Sequence, residues 1–255
     1  MSSSHHSRNA LVATVASIAL FAAAPAHAVP ISPSPTILSG DLTFYNFTAH
    51  INGTTGTTPT QNTQIGVSPI GTIGIPGPGI RFNAAFSASA NSPPSFWPST
   101  DTSSIDIILT YSVSAPTQEI EDISMDFNGA LFGVDKNSSA AATVTESVYT
   151  SDPTLGGTLV KQISVNAIGP EQLVDIPLGA NYTSLYVVKD ILLNASAKYD
   201  FWTNLWNSDQ SGATISFIDQ QFSEATPVPE PASLGLLGLG LLGMGLLYCR
   251  RTITV

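Results

Sequence analysis

The side chains able to do chemistry are few, and their spacing limits what that chemistry can be. The chain has four histidines and one cysteine. His5, His6 and His27 precede residue 29, so His50 stands alone in the long middle segment. One imidazole cannot make a His-rich metal centre, and a Ser-His-Asp triad would have to be built on it alone. Cys249 lies near the C-terminus, which leaves the middle segment no disulfide, no thiolate ligand and no thiol nucleophile. No Gly-x-Ser-x-Gly elbow occurs.

What remains is oxygen chemistry and aromatic stacking. Glu119, Glu121, Asp122 and Asp126 form a loose acidic cluster, and Asp135, Asn137 and Ser138 form another. Such ligands either hold Ca²⁺ in a loop or simply face water, and their spacing matches no EF-hand. No cofactor is expected, and a structural Ca²⁺ is the one metal the sequence admits. Trp97 follows Phe96, while Trp202 and Trp206 sit between Tyr199 and Ser208 among Asp and Asn. Indoles in such loops stack on sugar rings or plug the open end of a β-sandwich core. A carboxylate pair for glycoside hydrolysis has no motif in its favour.

These residues must be positioned by strands. Ile105, Ile107, Leu109, Tyr111 and Val113 recur at every second position, and Leu159, Lys161, Ile163 and Val165 repeat the pattern. Residues 185–193 are almost continuously apolar apart from Lys189 and Asp190, which predicts a central strand buried on both faces. Further strands are expected over 41–50, 80–90, 120–127, 142–149 and 214–222. Residues 54–79 read as a long Gly/Thr/Pro-rich loop, and 91–98 as irregular because of Pro93, Pro94 and Pro98. Short strands at this spacing without an amphipathic helix predict an all-β fold. It is a single antiparallel β-sandwich with jelly-roll-like connections, over residues 36–224. Pro-rich linkers are expected on either side, at 29–35 and 225–231.

Of the 255 residues, 43% are hydrophobic and only 10% charged, so hydroxyls and amides supply the polar strand faces. The net charge is −10, and between residues 29 and 227 five basic residues face seventeen acidic ones. Such a surface repels phosphate backbones and excludes a nucleic-acid partner.

The two ends are of a different kind. Arg8, an apolar stretch over 10–24 and the small residues Ala26 and Ala28 form a signal peptide over residues 1–28. Signal peptidase is expected to cut it so that mature protein starts at Val29. At the other end, Pro229-Glu230-Pro231 precedes 18 uncharged residues, 232–249, and then Arg250 and Arg251. As a helix this run is about 27 Å long, just enough to span a membrane. The arginine pair places the tail, 250–255, in the cytoplasm and the middle segment outside. Each proline fixes its own φ and disfavours helix before it, so Glu230 is held on an extended strand that an enzyme could grip.

This combination resembles the PEP-CTERM sorting signal, over about 28 residues from Val228 onward. The resemblance implies processing by an exosortase, a membrane-embedded cysteine transpeptidase of bacteria that secrete exopolysaccharide. A plain single-pass anchor is the alternative. The expected function is that of an exported, non-enzymatic surface or matrix protein associated with exopolysaccharide or biofilm. It is held in the inner membrane before processing, and is at the cell surface or extracellular afterwards. A carbohydrate-binding module using Trp97, Trp202 and Trp206, or a polysaccharide hydrolase or lyase, are the alternatives for the middle segment.

Overall fold

Branched and aromatic side chains at alternate positions favour the pleated backbone, because each then packs on one face of a sheet. The computed structural model describes residues 28–53, 61, 64–70, 77–93, 97–166, 174–199 and 209–225. Twelve strands lie among them. They are β1 (Val29–Pro30), β2 (Ile37–Ser39), β3 (Leu42–Gly53), β4 (Gly66–Ile70), β5 (Gly79–Ser92) and β6 (Ser99–Ser114), followed by β7 (Ile120–Phe132), β8 (Ser138–Tyr149), β9 (Leu159–Asn166), β10 (Val174–Tyr182), β11 (Ser184–Tyr199) and β12 (Asp209–Glu224). The expected signal segment up to residue 27 lies outside the described residues. So do Trp202, Trp206, Pro229, Glu230, Pro231, the span 232–249, Arg250 and Arg251.

The strands form two six-stranded sheets, in the orders β1-β4-β5-β12-β7-β10 (sheet I) and β2-β3-β6-β11-β8-β9 (sheet II). Every pairing is antiparallel. From β5 to β12 the chain crosses between sheets at β5–β6, β6–β7, β7–β8, β9–β10, β10–β11 and β11–β12. This interleaving gives the jelly-roll-like connectivity of two intertwined Greek keys.

The core fills the space between the sheets. Ile105, Ile107, Leu109, Tyr111 and Val113 of β6 all face inward and are buried. Across from them lie Phe82 and Phe86 of β5, Ile123 and Met125 of β7, and Ile218 and Phe222 of β12. Phe47 stacks on Tyr111 at 5.7 Å, with Phe82 at 5.6 Å from the same ring. Each such side chain stabilises the fold by about 1.5–3 kcal/mol through burial.

Three expectations change. β11 is buried on one face only: Leu185, Val187, Lys189, Ile191 and Leu193 point inward, while Asp190 and Leu192 are exposed. A two-layer sandwich leaves each sheet one wet face, so a central strand here need not be apolar throughout. The stretch read as a long loop, 54–79, contributes β4, which pairs with β5. Val29 and Pro30, expected in a linker, pair with β4, and Ile31 is 1% exposed. β10 had no counterpart in the sequence reading, because Pro177 and Gly179 interrupt its pattern. It is the edge strand of sheet I, where a proline is tolerated.

Candidate functional site

Strand direction sorts the functional candidates between two ends of the sandwich. At one end, Ser92 pairs with Asp209, Ser99 with Tyr199, and the Lys198 amide donates to the Asn137 carbonyl. The ends of β5, β7 and β11 and the starts of β6, β8 and β12 therefore lie together there. At the other end, the Ala115 amide donates to Thr183 and the Ala225 amide to Glu119. β12 has 16 residues, which separates the ends by about 50 Å. Trp97, on the β5–β6 connection, is 80% exposed and so plugs no core. The chain leaves β12 at the opposite end.

Sheet II turns a polar face to solvent. One row across it runs His50, Ile108, Asp190, Thr145 and Ser164; the next runs Asn52, Asp106, Leu192, Thr143 and Asn166. Asp190 and Asp106 are diagonal neighbours. Partial burial, then the Asp106 charge and hydrogen bond, raise the Asp190 carboxyl above its ordinary value. At the Trp97 end this face dips into a depression of about 370 Å³, lined by Thr102, Ser104, Ser139, Ala141, Asn194 and Ser196. Small side chains make the dip, and hydroxyls and an amide make it polar.

Two of the acidic side chains hold backbone amides. Asp135 Oδ1 accepts from the amides of Asn137 and Ser138 at 2.7 and 2.8 Å, closing the β7–β8 turn. Asp122 Oδ1 accepts from the Ser223 amide. Among the described residues no group of three or more His, Cys, Asp or Glu side chains is placed to hold a metal.

At the tail-side end two carboxyls meet. Asp41, just before β3, contacts Glu224 at the end of β12 and accepts a hydrogen bond from the Thr117 hydroxyl. Burial, then hydrogen bonding and charge from Asp41, raise Glu224 to about 7. Its bond to Glu224 pulls Asp41 below its ordinary value. The pair therefore shares one proton near neutrality.

The middle of the core holds a polar cluster that sequence reasoning missed. Lys189 of β11, Glu146 of β8 and Gln220 of β12 are all 0% exposed. Lys189 Nζ contacts Glu146 Oε2, donates to Gln220 Oε1 at 2.5 Å, and lies 3.5 Å from Met125 Sδ. Gln220 Nε2 donates to the Ser124 carbonyl at 3.0 Å. The Tyr111 hydroxyl is buried without a hydrogen-bond partner, and burial, reinforced by Glu146, keeps it un-ionised. Burial lowers Lys189 and raises Glu146, so both are driven toward their neutral forms. The available signal was position: 189 falls on the inward register of 185, 187, 191 and 193.

No curated protein matches the chain. Among solved structures it is similar to TmCBM61 in complex with β-1,4-galactotriose. The identity is 11% and the TM-score 0.29, over 69% of this chain and 88% of that one. It is also similar to the family 11 carbohydrate-binding module of the cellulosomal cellulase Lic26A-Cel5E of Clostridium thermocellum. There the identity is 9% and the TM-score 0.25, over 71% and 89% of the two chains. Overlaps this shallow bear on no ligand. The tail is another matter: residues 227–251 match the PEP-CTERM protein-sorting motif, so the chain carries that family's sorting signal at its C-terminal tail.

Proposed function

We propose that this is an exported, non-enzymatic cell-surface protein that an exosortase sorts through its tail. Signal peptidase releases it at Val29, the 232–249 span holds it in the inner membrane, and processing then delivers the sandwich to the surface or the surrounding exopolysaccharide. The observation that carries the reading is the motif match at 227–251, which starts just beyond the last strand residue, Glu224. A folded domain thus gives way directly to the sorting signal. The test replaces Pro229-Glu230-Pro231 with Ala-Gln-Ala in a host carrying the cognate exosortase. Hydrophobic length and flanking charge are unchanged, so insertion survives. Wild-type protein is expected to lose its terminal span while the variant stays full length in the membrane. Identical processing of the two reduces the tail to a plain anchor.

A second reading concerns the ectodomain's ligand. Exposed Trp97 and the hydroxyl-lined depression share the end remote from the tail exit, which favours a neutral glycan strand over the acidic surface. Trp97→Ala with Asn194→Ala is expected to abolish retardation in polysaccharide affinity gels at an unchanged melting temperature. Undiminished retardation would remove this reading and leave the sorting one intact.

A further inference from the structure

We infer that Lys189 and Gln220 become joined by an intramolecular isopeptide bond across the sandwich, with Glu146 as the acid–base catalyst. The cluster is otherwise hard to justify. Replacing a buried ion pair by apolar side chains of similar volume is commonly neutral or stabilising. The neighbours of Lys189 on the inward face of β11, Val187 and Ile191, show which residue type suits that position. Three wholly buried polar side chains from three strands have instead been gathered at one point.

Their arrangement fits amide exchange. Lys189 Nζ lies against Gln220 Oε1, one bond from the carbon it must reach. The Ser124 carbonyl holds the carboxamide by its nitrogen and fixes its orientation. Glu146 touches the amine and lies directly opposite Lys189 in the β8–β11 ladder. The same burial that favours neutral forms supplies the two states the reaction needs, a free amine and a carboxylic acid. Apolar walls keep water from competing, and strand pairing keeps the reactants in place.

The step balances without an oxidant or a co-reactant. The Nζ lone pair forms a bond to Gln220 Cδ, and the carbonyl π pair moves onto Oε1, which takes the Glu146 proton. The resulting Glu146 carboxylate removes a proton from Nζ. As the tetrahedral centre collapses, the Cδ–Nε2 bond breaks. Oε1 returns its proton by way of Glu146 to Nε2, which departs as ammonia. The product is a secondary amide between β11 in sheet II and β12 in sheet I, with Glu146 again a carboxylic acid. It closes a chain segment of 31 residues and leaves no charge in the core. No cysteine is present between residues 29 and 248 to make a disulfide do this work.

The experiment is mass spectrometry of the full-length protein, purified after export and unfolded before analysis. The expected mass is about 17 Da below that of the recovered polypeptide, one ammonia lost. Trypsin is expected to spare Lys189 and to give a branched species joining residues 162–198 to the peptide that contains Gln220. An unshifted mass with free cleavage after Lys189 overturns the proposal. So does loss of water with Lys189 joined to the Glu146 peptide. In Glu146→Gln the branched species is expected to disappear, and its formation at the wild-type extent overturns the catalytic assignment. The wild-type mass decides the matter even if that variant fails to fold.

Discussion

Two pairs of opposite charge occupy the same kind of place in the ladders and mean different things. Arg81 stands directly across from Asp219 on β5 and β12, and Lys189 directly across from Glu146 on β11 and β8. Arg81 and Asp219 lie on the outer face, with side chains 40% and 13% exposed. Two bonds of 2.6 Å join the guanidinium to both carboxylate oxygens, and the same guanidinium lies 4.0 Å over the Phe217 ring. Every part of that pair has a surface rationale: bidentate geometry, water for the remaining lone pairs, and an aromatic plate. The inner pair has none of these, and burial drives both members toward neutrality. Which way a residue points in the pleat, not its pairing, decides whether a charge pair serves as an ordinary surface contact or sits poised for chemistry.

The largest expected effect comes from breaking the inner pair. Lys189→Met removes the amine, the cross-link and the partner that faces Glu146, and is expected to cost about 3–5 kcal/mol. Arg81→Ala is the matched outer change. It is expected to cost about 1 kcal/mol or less, and the loss should shrink further in added salt. Urea unfolding of both variants at low and high salt separates them. Equal losses, or a salt-sensitive loss at position 189, would place both pairs in one class.

The same inward-or-outward question explains what was legible beforehand. β6 could be read because its inner positions are apolar and its outer ones, Ile108 apart, are polar, so the period of two survives in one dimension. At 185–193 the outer positions Val188 and Leu192 are apolar and the inner Lys189 is charged, so the register was lost and a doubly buried strand was expected. Counting from Val187 and Ile191 would have placed Lys189 inside. Its partners could not have been found, since Glu146 and Gln220 lie 43 and 31 residues away and meet it only through the fold. The depression on sheet II is equally invisible, because Thr102, Ser139 and Asn194 come from three strands. The sorting tail was readable because it is linear: its recognition elements are consecutive residues and need no fold to assemble them.

A third pair sharpens the contrast by having no cation. Asp41 and Glu224 meet at the tail-side end with the Thr117 hydroxyl beside them, and the Glu119 backbone carbonyl accepts from the next amide, that of Ala225. Glu224 is raised from 4.5 to about 7, so between those values the folded protein keeps a proton that the unfolded chain has released. Stability from this group is therefore fully present below about pH 4.5 and falls as pH rises through about 7. Asp41, lowered by the same contact, acts in the opposite sense at the acid end: its contribution is lost as pH falls through its depressed value. Both groups are half-buried at the end of the sandwich, open enough to water that screening should hold the effect below about 1 kcal/mol, the smallest of the three. Glu224→Gln keeps a hydrogen-bond donor for Asp41 and cannot ionise. Urea midpoints measured from pH 4 to 8 should fall less steeply for the variant between pH 4.5 and 7, leaving it the more stable protein, relative to wild type, at the alkaline end. Parallel curves across that window would mean that Glu224 titrates as an ordinary surface carboxylate. The pair would then be two side chains that happen to be near each other, and not a shared proton at the exit to the sorting tail.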